Sequence, residues 1–305
     1  MSGPAIRQKK GFLLNQSTAS CTTISRADSP IANMARDLVL TERDLNRVRT
    51  LIHQRAGIVL AEHKREMIYS RLSKRLRHYG MTRFADYLEY LERHPQSDEW
   101  QAFTNALTTN LTAFFREAHH FPLLAEHVRQ RTGRIRVWSS AASTGEEPWS
   151  IAMTLADTLG GAAANRFEVI ATDIDTDALD SAQRGVYDVE QVGRLDDDLV
   201  RRHFLRGRGQ QQGLARIQPE LAARVQFEPL NLLAPKWPLK GRFDAIFCRN
   251  IMIYFDKPTQ QKILERFVPF LQPDGLLFAG HSENFAWLSN SYRLRGKTVY
   301  QLAKP

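Results

Sequence analysis

The chain has 305 residues, a net charge of +9, 43% hydrophobic and 25% charged residues, which suits a globular protein large enough for two domains and a sizeable core. Two cysteines are too few for a disulfide framework or a cysteine-based metal site, and no apolar run reaches the roughly 18 to 20 residues of a membrane span. G-F-L-L near the start is too short for a signal peptide, so we expect a cytoplasmic protein. The positive charge invites an anionic partner.

The N-terminal part is predicted to be helical. Residues 1–35 are rich in Ser, Thr, Ala and Gln and show no periodic pattern, which is typical of a disordered tail. Residues 36–110 carry apolar side chains three and four positions apart behind capping residues such as Thr41, and this predicts a small all-helical domain. Residues 111–132 would form a linker and a connecting helix.

The second predicted helix has a basic face. Arg71, Lys74 and Arg75 follow one another at three-and-four spacing, whereas apolar residues occupy another face. A charged helical face is usually only solvated. One as one-sided as this could also dock an acidic helix or a nucleic acid.

Strands alternate with helices over residues 133–305. This alternation predicts an α/β domain with a mostly parallel sheet and helices on both faces. The last two strand candidates flank Gly296-Lys297, which predicts a hairpin and therefore an antiparallel edge. A run of closely spaced glycines predicts turns or a small hairpin insertion at about 205–220.

Acidic side chains follow the first two predicted strands, at the end of a parallel sheet where ligands bind. Glu146 and Glu147 precede Pro148, and they either cap the next helix or face an amino group or ribose. They would repel a phosphate, and no G-K-[ST] is present. Asp173 is placed to accept hydrogen bonds from ribose hydroxyls, whereas Asp175 suits a helix cap better.

Other candidates follow the later strands or lie at the seam between the two predicted domains. Asn231-Leu232 could offer an amide and an apolar face to a purine, although an Asn in a loop usually makes a turn. Tyr254 either lines a reaction pocket or packs in the core. Arg116 could hold a carboxylate through two parallel hydrogen bonds, or could simply pair with Glu117 or solvent.

Five motifs occur together in one order: N-L-T-A-F-F-R-E, A-A-S-T-G-E-E-P-W-S, A-T-D-I-D, F-D-A-I-F-C-R-N-I-M-I-Y-F-D and L-L-F-A-G-H-S-E. The set resembles the CheR family of chemotaxis receptor methyltransferases from about Leu40 to Lys304, with Trp149 where the family motif is expected to have Tyr. The resemblance implies a class I methyltransferase sheet preceded by a helical domain. It also implies S-adenosylmethionine as cofactor, no metal, and methyl esterification of glutamate side chains on chemoreceptors.

The resemblance assigns roles to individual residues. The implied cofactor contacts are Asn110, Thr112, Arg116, Glu147, Asp173, Asn231, Leu232, Arg249 and Asn250. Arg116 and Tyr254 match the positions near the incoming carboxylate and the transferred methyl group. The face with Arg71, Lys74 and Arg75 resembles the one that docks on the receptor's methylation helices. The insertion resembles a small β-subdomain that in some members binds a pentapeptide at the receptor's C terminus; its matching residues are Arg206, Gly207, Gly209, Gly213 and Arg216.

The expected partner is therefore the cytoplasmic domain of chemoreceptors, which would recruit the chain, as a monomer without direct membrane insertion, to receptor arrays. A nucleic-acid methyltransferase would use the same cofactor, but no [DN]-P-P-[YFW] follows the fourth predicted strand. A cofactor-sensing binding module is the alternative from another class. A nicotinamide oxidoreductase is disfavoured because the first loop lacks G-x-G-x-x-G.

Overall fold

The computed structural model describes residues 38–161, 165–285 and 287–303. The expected disordered tail at 1–35 lies outside the described residues. Within these ranges, none of the helices combines the length and the apolar character needed to cross a membrane.

The described chain begins with a four-helix unit. Its helices are α1 (Glu42–Ala56), α2 (Arg65–His78), α3 (Phe84–Arg93) and α4 (Glu99–Leu107), with a 3-10 turn at Glu62–Lys64 before α2. The Thr41 side chain accepts a hydrogen bond from the Asp44 N–H while the Asp44 carboxylate accepts one from the Thr41 N–H, so a capping box starts α1. The apolar faces of all four helices meet in one core that includes Val48, Leu72 and Phe103.

A seven-stranded sheet follows the connecting helix α5 (His120–Arg129). Its strands are β1 (Ile135–Ser139), β2 (Phe167–Asp173), β6 (Val225–Pro229), β7 (Phe243–Cys248), β8 (Leu271–Ala279), β9 (Tyr292–Gly296) and β10 (Val299–Leu302). They are ordered β6-β2-β1-β7-β8-β10-β9. All neighbours are parallel except β8–β10 and β10–β9, so the expected parallel sheet with an antiparallel edge is confirmed.

Helices cover both faces of this sheet. They include α6 (Glu146–Leu159), α7 (Thr176–Arg184) and α11 (Lys257–Phe267). The short helices α8 (Val189–Val192) and α9 (Asp197–His203) contact a second, smaller sheet, and α10 (Pro219–Ala222) contacts α6. Successive side chains of a strand point to opposite faces: in β7, Phe247 joins one buried cluster and Ile246 and Cys248 join the other. After β1, the chain adds β2 and β6 on one side of β1, and it then adds β7 and the remaining strands on the other side. This reversal places a cleft at the carboxyl ends of β1 and β7.

A separate three-stranded antiparallel sheet contains β3 (Val186–Asp188), β4 (Phe204–Arg206) and β5 (Leu214–Ile217), in the order β3-β5-β4. The insertion therefore begins near 186, and the expected range of about 205–220 was too narrow. A three-residue strand carries no periodic signal, and β3 becomes visible only through its distant partner β5. At Gly207 a Cβ would lie 2.0 Å from the Gln211 carbonyl oxygen, so the β4–β5 hairpin closes only with glycine there.

Candidate functional site

A cavity of about 240 Å³ opens at the carboxyl ends of β1, β2 and β7, against the four-helix unit. Its lining includes most of the predicted cofactor and catalytic residues: Asn110, Thr112, Arg116, Glu147, Asp173, Arg249, Asn250 and Tyr254. These side chains come from the linker after α4, the start of α6, the end of β2 and the segment after β7. These segments are far apart in the sequence, and the order of the strands in the sheet brings them together.

Glu147 is the acidic residue of the first loop that faces the cavity. It is buried in the first turn of α6, accepts a hydrogen bond from Ser139 Oγ at 2.8 Å, and lies 3.1 Å from the Arg249 guanidinium. Burial raises the pKa of Glu147, and Arg249 opposes this rise. The Glu146 carboxylate instead accepts hydrogen bonds from the side chains of Thr144 and Gln191. The structure thus gives the two adjacent carboxylates different partners, and only Glu147, the one assigned by the resemblance, lines the cavity.

The turn before α6 depends on one glycine. Gly145 has φ +101°, and a Cβ there would lie 2.9 Å from the Ala182 Cα and 2.7 Å from the Tyr187 hydroxyl. Only glycine fits this conformation and this approach. The tight turn sets the first residues of α6 at the cavity.

Asp173 ends β2 at the cavity wall. Its carboxylate accepts hydrogen bonds from the backbone N–H groups of Ser143 at 2.7 Å and Asp175 at 2.9 Å. Burial raises its pKa to about 6 despite these bonds. Asp175 caps α7 by accepting from the N–H groups of Asp177 and Ala178, which is the role its position predicted.

The linker between the helical unit and the sheet crosses the cavity. Asn110 Nδ2 donates to the Asp175 carboxylate at 2.7 Å, and Thr108 Oγ1 donates to the same oxygen at 2.5 Å. Arg116 Nη1 donates to the Leu111 carbonyl at 2.9 Å. Glu117, its expected alternative partner, pairs with Arg249 instead.

Sequence reasoning missed Glu117 as a site residue. Its carboxylate accepts from the His281 N–H at 3.0 Å and the Asn250 amide at 3.2 Å, and it lies 3.4 Å from the Arg249 guanidinium. Burial would raise the pKa of Glu117, but the His281 bond and the Arg249 charge outweigh it and the pKa is lowered. Its φ of +54° is uncommon outside glycine. The only signal was its place in the F-F-R-E motif.

Glu283 was also missed, although it ends the last quoted motif. Its buried carboxylate accepts three backbone hydrogen bonds, from Gly280 at 2.6 Å, Met252 at 2.7 Å and Asn250 at 2.9 Å. Burial raises its pKa, and these bonds oppose the rise. They hold the segment after β7 in place, including Asn250 at φ +58°.

Two predicted cofactor contacts lie away from the cavity lining. The Asn231 side chain bridges the Arg55 carbonyl and the Leu233 N–H, each at 2.8 Å. Leu232 is buried in the core cluster that contains Trp237. Asn231 thus makes the local turn bond that is typical of loop asparagines, and its amide nitrogen also bonds the four-helix unit through the Arg55 carbonyl.

Two of the three basic residues singled out on α2 have partners within the chain. Arg75 donates to Glu99 at 2.8 Å, and this buried carboxylate also accepts from Tyr87 at 2.7 Å. Arg71 donates to the carbonyl of Thr108. These two arginines therefore tie α2 to α4 and to the linker, and only Lys74 of the predicted trio is exposed. A helical projection of α2 cannot show that acceptors on other segments lie within reach of long side chains.

The predicted pentapeptide residues lie in and beside the β4–β5 hairpin, outside the cavity lining. Arg206 is an exposed residue of β4, and Arg216 lies on β5. Gly209 and Gly213 have φ of +58° and +90°, so they form the turn that other residues would strain.

The charged and hydrogen-bonding groups of the cavity fit a cationic nucleoside. The buried carboxylate of Glu147 and the half-buried carboxylate of Asp173 suit an amino group and ribose hydroxyls, and Arg116 suits a carboxylate. Burial raises the pKa of both carboxylates, and a cationic ligand would favour their ionised forms. Among the described residues, no group of three or more His, Cys, Asp or Glu side chains is placed to hold a metal ion.

Family models match most of the chain. Residues 110–301 match "CheR methyltransferase, SAM binding domain", and residues 43–108 match "CheR methyltransferase, all-alpha domain". The chain is 60% identical over 283 residues to a chemotaxis protein methyltransferase of Klebsiella aerogenes, covering 93% of this chain and 97% of that protein. It is 59% identical over 276 residues to one of Escherichia coli, covering 90% and 96%.

A more distant relative agrees: the chain is 52% identical over 266 residues to chemotaxis protein methyltransferase 2 of Pseudomonas aeruginosa, covering 86% of this chain and 94% of that protein. The matches confirm the expected fold class, the methyltransferase activity and S-adenosylmethionine as cofactor. The chain belongs to the CheR methyltransferase family.

Proposed function

We propose that this chain transfers a methyl group from S-adenosylmethionine to glutamate side chains in the cytoplasmic domain of chemoreceptors, giving glutamyl methyl esters and S-adenosylhomocysteine. One observation carries the proposal: buried Glu147 and half-buried Asp173 share a cavity with Arg116 and Tyr254. The relatives named as chemotaxis protein methyltransferases support the choice of substrate.

Residues of the cavity would hold the cofactor by complementary charge. Asp173 would accept hydrogen bonds from ribose hydroxyls, and Glu147 would face the amino group. Arg249 would keep the Glu147 carboxylate ionised and oriented, because the pair is 3.1 Å apart and buried. When bound, S-adenosylmethionine supplies a methyl group that is already activated as a sulfonium.

The acceptor needs little chemical activation. A glutamate carboxylate has a reference pKa of about 4.3, so it is ionised and nucleophilic at neutral pH without a general base. The enzyme's task is alignment, which can supply roughly 7 to 11 kcal/mol. Arg116 would orient the incoming carboxylate, and Tyr254 would shape the pocket around the methyl group.

The other units would dock the receptor. We infer that residues 36–110 form the receptor-docking domain, 111–132 the linker and connecting helix, and 133–305 the methyltransferase domain. On α2 the exposed Lys74 would meet an acidic receptor helix. The three-stranded sheet, with Arg206 exposed, would bind the receptor's C-terminal pentapeptide. The chain would act in the cytoplasm as a monomer, brought to receptor arrays by these contacts.

The test uses methyl-labelled S-adenosylmethionine and a chemoreceptor cytoplasmic fragment. Base treatment of the product should release labelled methanol, because glutamyl methyl esters are base-labile. Nucleic acid offered in parallel with the same labelled cofactor should acquire no label. If S-adenosylhomocysteine binds by calorimetry while no receptor fragment is labelled, the receptor methyltransferase reading is wrong and a cofactor-sensing module takes its place.

A further inference from the structure

Three exposed aliphatic side chains surround the mouth of the cavity. Val59, Leu111 and Ile253 all contribute to its lining, yet they are 49%, 79% and 54% exposed. They come from the loop after α1, the linker after α4 and the 3-10 turn Met252–Tyr254. We call these three residues the apolar rim.

Backbone contacts hold the segments of the rim in place. The Val59 N–H donates to the Tyr254 carbonyl at 2.8 Å, which joins the loop after α1 to the 3-10 turn. The Leu111 carbonyl accepts from Arg116 at 2.9 Å. Next to Ile253, the Met252 N–H is held by Glu283 at 2.7 Å. The exposure of the rim therefore belongs to an ordered surface, not to a fraying end.

The position and size of the rim indicate its occupant. An acceptor glutamate must reach Arg116 and Tyr254 inside the cavity, and its side chain is short, so the chain beside it must pass close to the mouth. A stable dimer needs roughly 800 Å² per partner, far more than three side chains offer. Weak apolar contacts suit a substrate that is bound and then released.

We propose that the apolar rim binds apolar side chains of the receptor segment beside the acceptor glutamate and so selects which glutamates are methylated. This inference rests on the proposed function. On a helical receptor segment, residues three and four positions from the glutamate lie on its face of the helix. Small or aliphatic residues at those positions fit the rim, and charged residues there do not.

The test is the double variant Leu111→Gln/Ile253→Gln, measured beside Leu294→Gln. Leu294 is 53% exposed on the edge strand β9 and is not part of the cavity lining, so it is a matched control. The double variant should raise KM for the receptor fragment about tenfold with little change in kcat, because apolar burial common to ground and transition states is lost. Affinity for S-adenosylhomocysteine should stay unchanged, and Leu111→Met should retain the parental KM.

A receptor-side substitution sharpens the test. Replacing the apolar residue four positions from the acceptor glutamate with Gln should raise KM in the parental chain and add little in the rim variant, because both changes remove the same contact. Fully additive effects would contradict the proposal.

Other outcomes overturn it. An unchanged KM in an active double variant would show that the rim does not bind the receptor. A parallel loss of S-adenosylhomocysteine affinity would show that the rim binds the cofactor instead. An effect that disappears when residues 1–37 are deleted would make the chain's own N-terminal segment the occupant. If the unaltered chain esterifies no receptor, the proposed function is wrong, and the inference about the rim, which rests on it, is wrong as well.

Discussion

At the scale of single residues, the site is built around Arg249. Its buried guanidinium lies 3.1 Å from Glu147 and 3.4 Å from Glu117, and it also donates to the Arg116 carbonyl. One cation thereby fixes the carboxylate of Glu147, which is proposed to bind the cofactor, and the backbone of Arg116, which is proposed to orient the substrate. Removing one partner of such a group leaves buried charge uncompensated, which is costly.

The two adjacent acids of α6 should differ in effect. Glu147→Gln should weaken S-adenosylhomocysteine binding by at least about tenfold, because hydrogen bonds to a charged group contribute roughly 1.5 to 3 kcal/mol. Glu146→Gln is the matched control, since Glu146 bonds Thr144 and Gln191 outside the lining. Calorimetry measures the S-adenosylhomocysteine affinity of both variants. Equal affinities would show that Glu147 does not bind the cofactor.

Cofactor affinity should depend on pH through Asp173. Its pKa is raised from 3.8 to about 6, so folding favours the protonated form. The stability that this group contributes is therefore fully present below about pH 4 and is lost as the pH rises through 6. A ribose requires the ionised acceptor, so S-adenosylhomocysteine affinity should increase from pH 5 to pH 7. Asp173→Asn should flatten that increase, and an equally steep profile in the variant would refute the assignment.

Tyr254→Phe tests the catalytic tyrosine. The ring stays and the hydroxyl is lost, so cofactor affinity should be retained while kcat for receptor esterification falls. Rapid-mixing or steady-state assays with the receptor fragment measure this, and turnover equal to the parental value would exclude a role for the hydroxyl.

At the scale of elements, α2 has two kinds of basic residue. Arg75 reaches buried Glu99 on α4, so it maintains the helical unit, whereas exposed Lys74 is available for docking. The basic residues of one helix thus include one with a structural role and one for which we propose a role in recognition. Spacing along α2 cannot separate them, because the difference lies in the partner helix.

Substitutions on α2 should separate stability from docking. Arg75→Ala leaves Glu99 buried without its cation and should lower the free energy of unfolding by roughly 3 kcal/mol, seen as a lower Tm. Lys74→Ala should leave Tm unchanged and raise KM for the receptor fragment. A stable Arg75→Ala variant, or an unaffected KM in Lys74→Ala, would contradict this division.

At the scale of the whole molecule, the proposed receptor sites in the cavity and on the three-stranded sheet are separate, because none of the predicted pentapeptide residues lines the cavity. A receptor that engages both converts its second binding event into an intramolecular one, which raises the effective concentration of acceptor glutamates. Neither site needs to bind tightly for methylation to be efficient.

Removing the C-terminal pentapeptide from the receptor fragment should therefore raise KM for esterification and leave kcat near its original value. Arg206→Ala should produce a similar increase with the intact fragment and no further increase with the truncated one. S-adenosylhomocysteine affinity serves as the control. Identical KM values for the two fragments would exclude the sheet as a receptor site.

The sequence by itself determined the α/β class, the helical domain, the cofactor and eight of the residues that line the cavity, because strand ends, helix caps and ordered motifs are local features. Asp173 and Asp175 could be told apart from cap chemistry alone. Only the tertiary structure decided that Glu117 holds Arg249, that Asn231 bonds Arg55, and that β3 pairs with β5. Each of these contacts joins residues far apart in the chain, and their partners are chosen by how the elements pack.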